Sequence, residues 1–199
     1  MVSVINLKCS NCGDVLSERQ TICESCMQPV VIKKMSSLMG LSPQELNKRG
    51  RLIGAEASKG GEFASDANFT AGCCFLRLKL YDQAFSRFEK AFNEDMDNAE
   101  AYFYAAVARL MGKRPFLCPL VELRKAQEYA EAAMAIDDRA IFHYFLAYIK
   151  LDFYAKKFLK VTPDWRQEYQ ESLGNYISKE DVDDLFNLLG QQCPKELEL

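Results

Sequence analysis

Apolar residues recur at helical spacing over most of the chain, and the sequence marks where several helices begin and end. Ser42, Pro43 and Glu45 supply a capping residue, a proline at the first helical position and the glutamate of a capping box. We expect this helix to run to about Ser58, where Lys59-Gly60-Gly61 ends it. The protein is therefore predicted to be mostly α-helical.

Two further helix signals follow near the C-terminal end. Thr162-Pro163-Asp164 begins a helix that carries Trp165 and ends at Gly174. Ser178 to Asp181 cap the last helix, whose apolar stripe consists of Val182, Leu185, Phe186 and Leu189. We expect this last helix to cover the end of a helical stack.

Residues 68–96 contain small and aromatic residues in an order that predicts two closely packed helices. The order is small, aromatic, aromatic, alanine, aromatic, alanine, at Gly72, Phe75, Tyr81, Ala84, Phe88 and Ala91. Small residues let antiparallel helices approach, and aromatic side chains fill the space between them. The pattern resembles a tetratricopeptide repeat, with two departures: Asn68 replaces the family's tryptophan and Met96 its proline.

A second unit of this kind covers residues 99–136, and a third opens at Ile141. The second unit has eight extra residues between its helices, Lys113 to Leu120, with two prolines, two positive charges and several apolar side chains. Loops of this kind often carry function. The alternative is that the loop folds back onto the helices and buries its apolar residues. The candidate contact residues are Lys113, Arg114 and Phe116.

The first helix of each tetratricopeptide repeat lines a concave groove, and the resemblance implies a partner-binding groove here. The corresponding positions are mostly apolar: Phe69, Cys73, Leu76, Phe103, Val107, Leu110, Met111, Phe142, Phe145, Ile149 and Phe153. Such a groove suits an apolar helix or peptide segment, and an uncovered one promotes aggregation. We expect the chain's own segment Glu180 to Leu189, or a helix from a partner or second subunit, to fill it. The chain's own segment is favoured slightly because its apolar stripe is already available.

Four cysteines form two C-x-x-C pairs, Cys9 with Cys12 and Cys23 with Cys26. Each pair turns back on itself, so that its two thiolates point at one centre. Four soft thiolates with no open position suit Zn2+ and indicate one structural site, because a catalytic zinc keeps a water ligand. Two such pairs outside a strand-helix unit argue against a redox pair.

The segment around these cysteines resembles the short zinc ribbons at the N-termini of many bacterial and archaeal proteins. The resemblance implies a small β module over residues 1–34, followed by a tetratricopeptide-like helical domain with capping helices over residues 35–199. Such ribbons serve as protein-docking elements, nucleic-acid contacts or structural staples. The ribbon has a net charge of +1, which supports nucleic-acid binding only weakly. Its charged residues are Lys8, Arg19, Lys33 and Lys34 against Asp14, Glu18 and Glu24.

Composition narrows the class of protein. The 199 residues carry a formal charge of -3, with no signal-peptide-like start and no run of eighteen uncharged apolar residues. We therefore expect a cytoplasmic protein whose eight cysteines are metal ligands and small core residues, a secreted disulfide protein being the alternative. Cys73 and Cys74 read as core residues, whereas Cys118 and Cys193 lie in loop-like sequence that allows exposed thiols.

The sequence contains no phosphate loop, no nucleophile paired with a base and no open metal site, and His143 is its only histidine. We therefore expect a non-catalytic adaptor or scaffold that binds a protein partner or self-associates, with no membrane partner and no small-molecule substrate. The alternative is a nucleic-acid-associated regulatory factor, in which the ribbon and the loop at Lys113 and Arg114 touch phosphates.

Overall fold

A computed structural model describes residues 7–9, 12–16, 20, 22–27, 30–32, 35–38, 40–61 and 63–199. The described residues contain one two-stranded sheet and eight α-helices, so the fold is mostly α as predicted. The helices are α1 (Pro43–Ala57), α2 (Ala64–Arg77), α3 (Tyr81–Glu94), α4 (Ala99–Arg109), α5 (Leu120–Ile136), α6 (Ala140–Ile149), α7 (Trp165–Gly174) and α8 (Lys179–Leu189). The chain divides into two compact units, residues 1–95 and 96–199. The predicted boundary after residue 34 stays a prediction.

The sheet of the first unit pairs β1 (Leu7–Lys8) with β2 (Val15–Leu16) in antiparallel register, with Leu7 opposite Leu16. Residues 30–32, which follow the last cysteine of the site, form no strand. Instead, the backbone amide of Ile32 donates to the hydroxyl oxygen of Thr70 in α2, at 2.9 Å. Ile32 is thus tied to a helix and not to the sheet.

Helix α1 begins at the predicted capping box. The Ser42 hydroxyl oxygen accepts from the Glu45 amide at 3.3 Å, and the Glu45 carboxylate accepts from the Ser42 amide at 2.8 Å. Both bonds satisfy amides that the first helical turn leaves without partners. The helix ends before the predicted glycine pair. The predicted bounds of α1 are confirmed.

Helices α2 and α3 form an antiparallel pair within the first unit. The Ser65 hydroxyl near the start of α2 donates to the carbonyl of Ala91 near the end of α3, at 3.0 Å. Between these ends Gly72 lies so close to Phe88 that an added Cβ would stand 2.6 Å from the ring. Asn68, the departure from the tetratricopeptide pattern, accepts from Arg87 at 3.0 Å. Close packing at Gly72 is the contact that the small-and-aromatic pattern predicts.

Helices α4 and α5 form an antiparallel pair in the second unit. Arg109 at the end of α4 pairs with Glu122 at the start of α5 at 2.7 Å, and the ring of Tyr102 in the first half of α4 lies 6.5 Å from that of Tyr129 in the second half of α5. Helix α6 packs against both α5 and α7. Beyond Ile149 the chain widens into a π-helical turn (Lys150–Tyr154) and tightens into a 3-10 turn (Ala155–Lys157). The third predicted unit therefore departs from regular α-helix where its sequence pattern fades.

The last two helices begin and end where the sequence predicts. Asp164 caps α7, and Ser178 caps α8, with Gly190 in the left-handed conformation after its last turn. In the described part of the chain, no helix combines the length and the apolar character needed to cross a membrane.

Candidate metal centre and predicted binding surfaces

The four predicted ligands Cys9, Cys12, Cys23 and Cys26 lie together, with all four sulfur atoms within 4.8 Å of one another. The sulfurs of Cys9 and Cys26 are 3.5 Å apart, and those of Cys12 and Cys23 are 3.6 Å apart. Zinc-sulfur distances of about 2.3 Å in a tetrahedron would separate the sulfurs by about 3.8 Å. The arrangement therefore fits a metal ion bound by four cysteines.

Two similar backbone turns position these sulfurs. The amide of Gly13 donates to the Cys9 carbonyl at 2.9 Å, and the amide of Met27 donates to the Cys23 carbonyl at 2.8 Å. Both donors have positive φ, 77° for Gly13 and 59° for Met27. Each turn brings the second cysteine of a C-x-x-C pair back beside the first. Glycine adopts this conformation without strain, whereas methionine does so less readily.

Without a metal, desolvation and the neighbouring sulfurs disfavour ionisation of Cys12. A backbone hydrogen bond at Asp14 lowers the pKa of Cys12, but desolvation and the neighbouring sulfurs of Cys23, Cys26 and Cys9 raise it to about 12. A bound cation reverses this preference, because metals bind the thiolate form. Filling the site therefore releases protons.

In the part of the module that the structure describes, a small buried cluster supports the cysteine site. It contains Cys9, Leu16, Cys23 and Val30, with Cys26 packed against it. Buried Arg49 of α1 donates to the Gln20 carbonyl and so ties this segment to the helices. Burial lowers the pKa of Arg49, with Cys74 acting in the opposite direction. Sequence analysis did not single out Arg49; an arginine on the buried side of a predicted amphipathic helix was the available signal.

The charge pattern behind the nucleic-acid alternative is only partly visible. Glu18, Arg19, Lys33 and Lys34 lie outside the described residues. That alternative stays a prediction.

Ten of the eleven predicted groove residues are buried, and Met111 is the exception, with 44% of its surface exposed. In the second unit these side chains contact one another: the Phe103 ring lies 4.6 Å from that of Phe142 and 5.7 Å from that of Phe145. These three positions, which were expected to face a partner, therefore form helix-helix contacts within the chain. An apolar side chain at such a position can either face a partner or pack against another helix of the chain. The sequence alone could not separate these two roles.

The apolar stripe of α8 is also buried, but its aromatic contacts are to other residues. The Phe186 ring packs edge-on against Tyr148 at 5.1 Å and against Tyr144 at 6.3 Å. Neither tyrosine is among the predicted groove positions. Occlusion of the groove by Glu180 to Leu189 stays a prediction.

The loop inserted in the second unit is held by one buried carboxylate. Asp152 accepts from the Arg114 guanidinium at 2.5 Å, from the Lys156 ammonium at 2.6 Å and from the Phe116 amide at 3.0 Å. Burial raises the pKa of Asp152, but these donors outweigh it and hold the pKa below its ordinary value. The loop therefore folds back onto the helical part of the second unit.

This folding back leaves the apolar side chains of the loop at the surface. Phe116 remains 41% exposed and Leu117 68% exposed, and Lys113 is also exposed. Cys118, which was open to being an exposed thiol, is buried, and burial raises its pKa. Cys73 and Cys74 are buried as predicted.

Sequence analysis missed a buried charge network in the second unit. Glu168 of α7 accepts from Lys150 at 2.6 Å and lies 2.9 Å from Nδ1 of His143, whose Nε2 lies 2.8 Å from Asp138. Burial lowers the pKa of His143, but the hydrogen bonds to Glu168 and Asp138 outweigh it and raise the pKa above 6.5. With His143 protonated, two cations face two carboxylates.

Comparison with known proteins gives no match: no protein family, no curated protein and no solved structure resembles this chain closely enough to be assigned. The function therefore has to be argued from the residues and their geometry.

Proposed function

We propose that the chain is a non-catalytic scaffold in which one structural zinc ion holds the N-terminal ribbon and tetratricopeptide-like hairpins bind a protein segment. The four converging cysteine sulfurs carry this proposal. Four thiolates complete a tetrahedral shell and leave no position for water or substrate, which supports a structural role for the metal.

Zinc is the ion that the donor set supports. Thiolate-only tetrahedral sites suit zinc or iron-sulfur clusters, and the close spacing of the sulfurs around one centre favours a single ion. None of the eight cysteines forms a disulfide. Cysteines without disulfides are typical of a reducing compartment, so a cytoplasmic location belongs to the same proposal.

The hairpins support the tetratricopeptide-like part of the proposal. Helices α2 and α3 pack with Gly72 beneath Phe88, and α4 and α5 form a second antiparallel pair. Helix pairs that use small residues at their closest approach are the building unit of such repeats.

Binding at the predicted groove requires its residues to become accessible. Cys73 and Cys74 allow a direct test, because both thiols are buried in α2 and only Cys73 is a predicted groove position. The test measures modification of the native zinc-loaded protein by a thiol reagent, resolved to each cysteine by fragmentation mass spectrometry. Rates are normalised to those of the urea-unfolded chain.

A groove that opens without unfolding labels Cys73 faster than Cys74, and an apolar helical peptide supplied in excess protects Cys73. Equal normalised rates, with no protection, would assign the groove positions to the permanent core and remove the groove from the proposed function.

A further inference from the structure

Two segments of the second unit combine exposed apolar side chains with positive charge. Residues 113–117 read Lys-Arg-Pro-Phe-Leu, and residues 156–160 read Lys-Lys-Phe-Leu-Lys. Together these ten positions, which we name the basic-apolar surface, hold five basic residues and no acidic one. The chain as a whole has a formal charge of -3, so the positive charge of this surface is opposite in sign to the net charge of the protein.

Direct contacts bring the two segments together. The Lys157 ammonium lies 4.8 Å from the centre of the Phe116 ring and 3.9 Å from that of Phe153. Arg114 and Lys156, one from each segment, donate to the same oxygen of Asp152. The buried Asp152 carboxylate thus gathers cations from both segments but offsets only one of their charges.

The apolar residues of this surface are unusually open to water. Phe158 is 96% exposed and Leu159 is 50% exposed, and Phe116 and Leu117 of the other segment are exposed as well. Phe158 also adopts a left-handed φ of 58°. Exposing a phenylalanine to water and holding it in this conformation both cost free energy.

Tyr176 shows that exposure and backbone conformation alone do not mark a binding surface. It is 92% exposed with a φ of 60°, which matches Phe158 closely. Its surroundings differ in charge, because residues 171–181 contain three acidic residues and one basic residue. Positive charge around the exposed ring therefore distinguishes Phe158 from Tyr176.

We propose that the basic-apolar surface binds the surface of an anionic lipid bilayer. Phe158 and Leu117 enter the boundary between headgroups and acyl chains, while the lysines and Arg114 neutralise anionic headgroups. The Phe158 ring is almost fully exposed, so the chain forms no pocket around it in which a protein segment could bind. A lipid bilayer buries such a ring on all sides and therefore fits better than an acidic protein segment. Surface binding of this kind needs no spanning helix, and it is an alternative to our expectation of no membrane partner, which the vesicle experiment tests.

The test is co-sedimentation of the full zinc-loaded chain with phosphatidylcholine vesicles, with and without phosphatidylserine. We expect binding only to vesicles with phosphatidylserine, and release at high salt because screening weakens the contact with the headgroups. Phe158→Ser should weaken binding about tenfold through lost apolar burial. Lys157→Gln should weaken it about fivefold.

Tyr176→Ser is the matched control and should bind like the wild type. Phe158 is exposed, so Phe158→Ser is expected to melt with the wild type; if it does not, Leu117→Ser is scored in its place. The proposal is overturned by a wild-type chain that ignores anionic vesicles, by equal binding to neutral vesicles, or by equal losses in the Phe158 and Tyr176 variants. Binding to poly-aspartate without binding to vesicles also overturns it and assigns the surface to an acidic protein segment.

Discussion

The four-cysteine module and the helical hairpins bury polar or reactive groups in different ways. Among the described residues around the cysteine site, the core is a cluster of four buried side chains, and two of them are proposed ligands. In the second unit Glu168 lies between Lys150 and His143, so the cations that balance it belong to the same chain. The thiolates of the module are thus balanced by the proposed metal ion. The buried charges of the second unit are balanced by side chains of the same chain.

This difference predicts that the two regions lose structure independently. A module of this size has too little apolar surface to fold alone, and metal binding supplies the missing free energy. The hairpins rest on close packing and on paired charges. Some substitutions should therefore destabilise the protein by weakening metal binding. Others should destabilise it to the same extent whether or not the metal is bound.

The largest effect is expected from Cys23→Ser, which removes a buried ligand. Structural zinc sites contribute about 10–16 kcal/mol in small peptides, and three ligands retain only part of that. We expect loss of the bound metal and of amide-exchange protection over the described segments 7–9, 12–16 and 22–27, with α4 to α8 unchanged. Cys193→Ser, at a half-buried thiol outside the site, is the control and should keep the metal.

Retention of the metal by the Cys23 variant would contradict the ligand role of Cys23. Loss of protection throughout the chain would show that the two regions are not independent.

The second effect concerns the charge network. Glu168→Gln leaves Lys150 and His143 buried with a neutral partner, and breaking a buried ion pair costs about 3–5 kcal/mol. Glu171→Gln, at an exposed position of the same helix, should change stability by less than about 0.5 kcal/mol. Urea unfolding followed by circular dichroism measures both variants, and zinc content should stay at the wild-type value. Equal stability of the two variants would refute a structural role for the network.

The third effect tests close packing within a hairpin. Gly72→Ala places a methyl group 2.6 Å from the Phe88 ring, so we expect a loss of about 1–3 kcal/mol. Gly174→Ala, in α7, meets no atom within 4 Å and should raise stability by up to about 1 kcal/mol. Thermal unfolding gives the sign of each change, and a Gly72→Ala variant as stable as the wild type would contradict the packing described for α2 and α3.

The smallest effect is a pH dependence from His143. Its folded-state pKa is raised above 6.5, so its contribution to stability is fully present below that pH and is lost as pH rises through the folded pKa. The difference in free energy of unfolding between the wild type and His143→Gln should therefore shrink from pH 6 towards higher pH. Urea titrations at several pH values measure it, and a difference that grows with pH would contradict the sign.

The sequence predicted local features well because neighbouring residues determine them. The capping box at Ser42 and Glu45, the caps at Asp164 and Ser178, and the convergence of the four cysteines all depend on short-range spacing. Which side chain covers an apolar position depends on packing between residues far apart in sequence. The burial of Phe103 against Phe142 was not foreseen for this reason.

The charge network was missed for the same reason. Glu168 and Lys150 are eighteen positions apart and meet only when α7 folds back on α6. Lys150 and Asp152 also lie in a π-helical turn, where the spacing of a regular helix misplaces side chains. The available signal in the sequence was the presence of single charged residues in an apolar segment. The sequence did not show which residues would pair with them.

The central claim is that one metal ion holds the four-cysteine module and nothing else in the chain. The most direct measurement is metal content by elemental mass spectrometry, combined with amide exchange before and after chelation. The account predicts one zinc per chain, and chelation that exposes the described segments 7–9, 12–16 and 22–27 while α4 to α8 keep their protection. A chain without bound metal in which these three segments are fully protected would contradict the account.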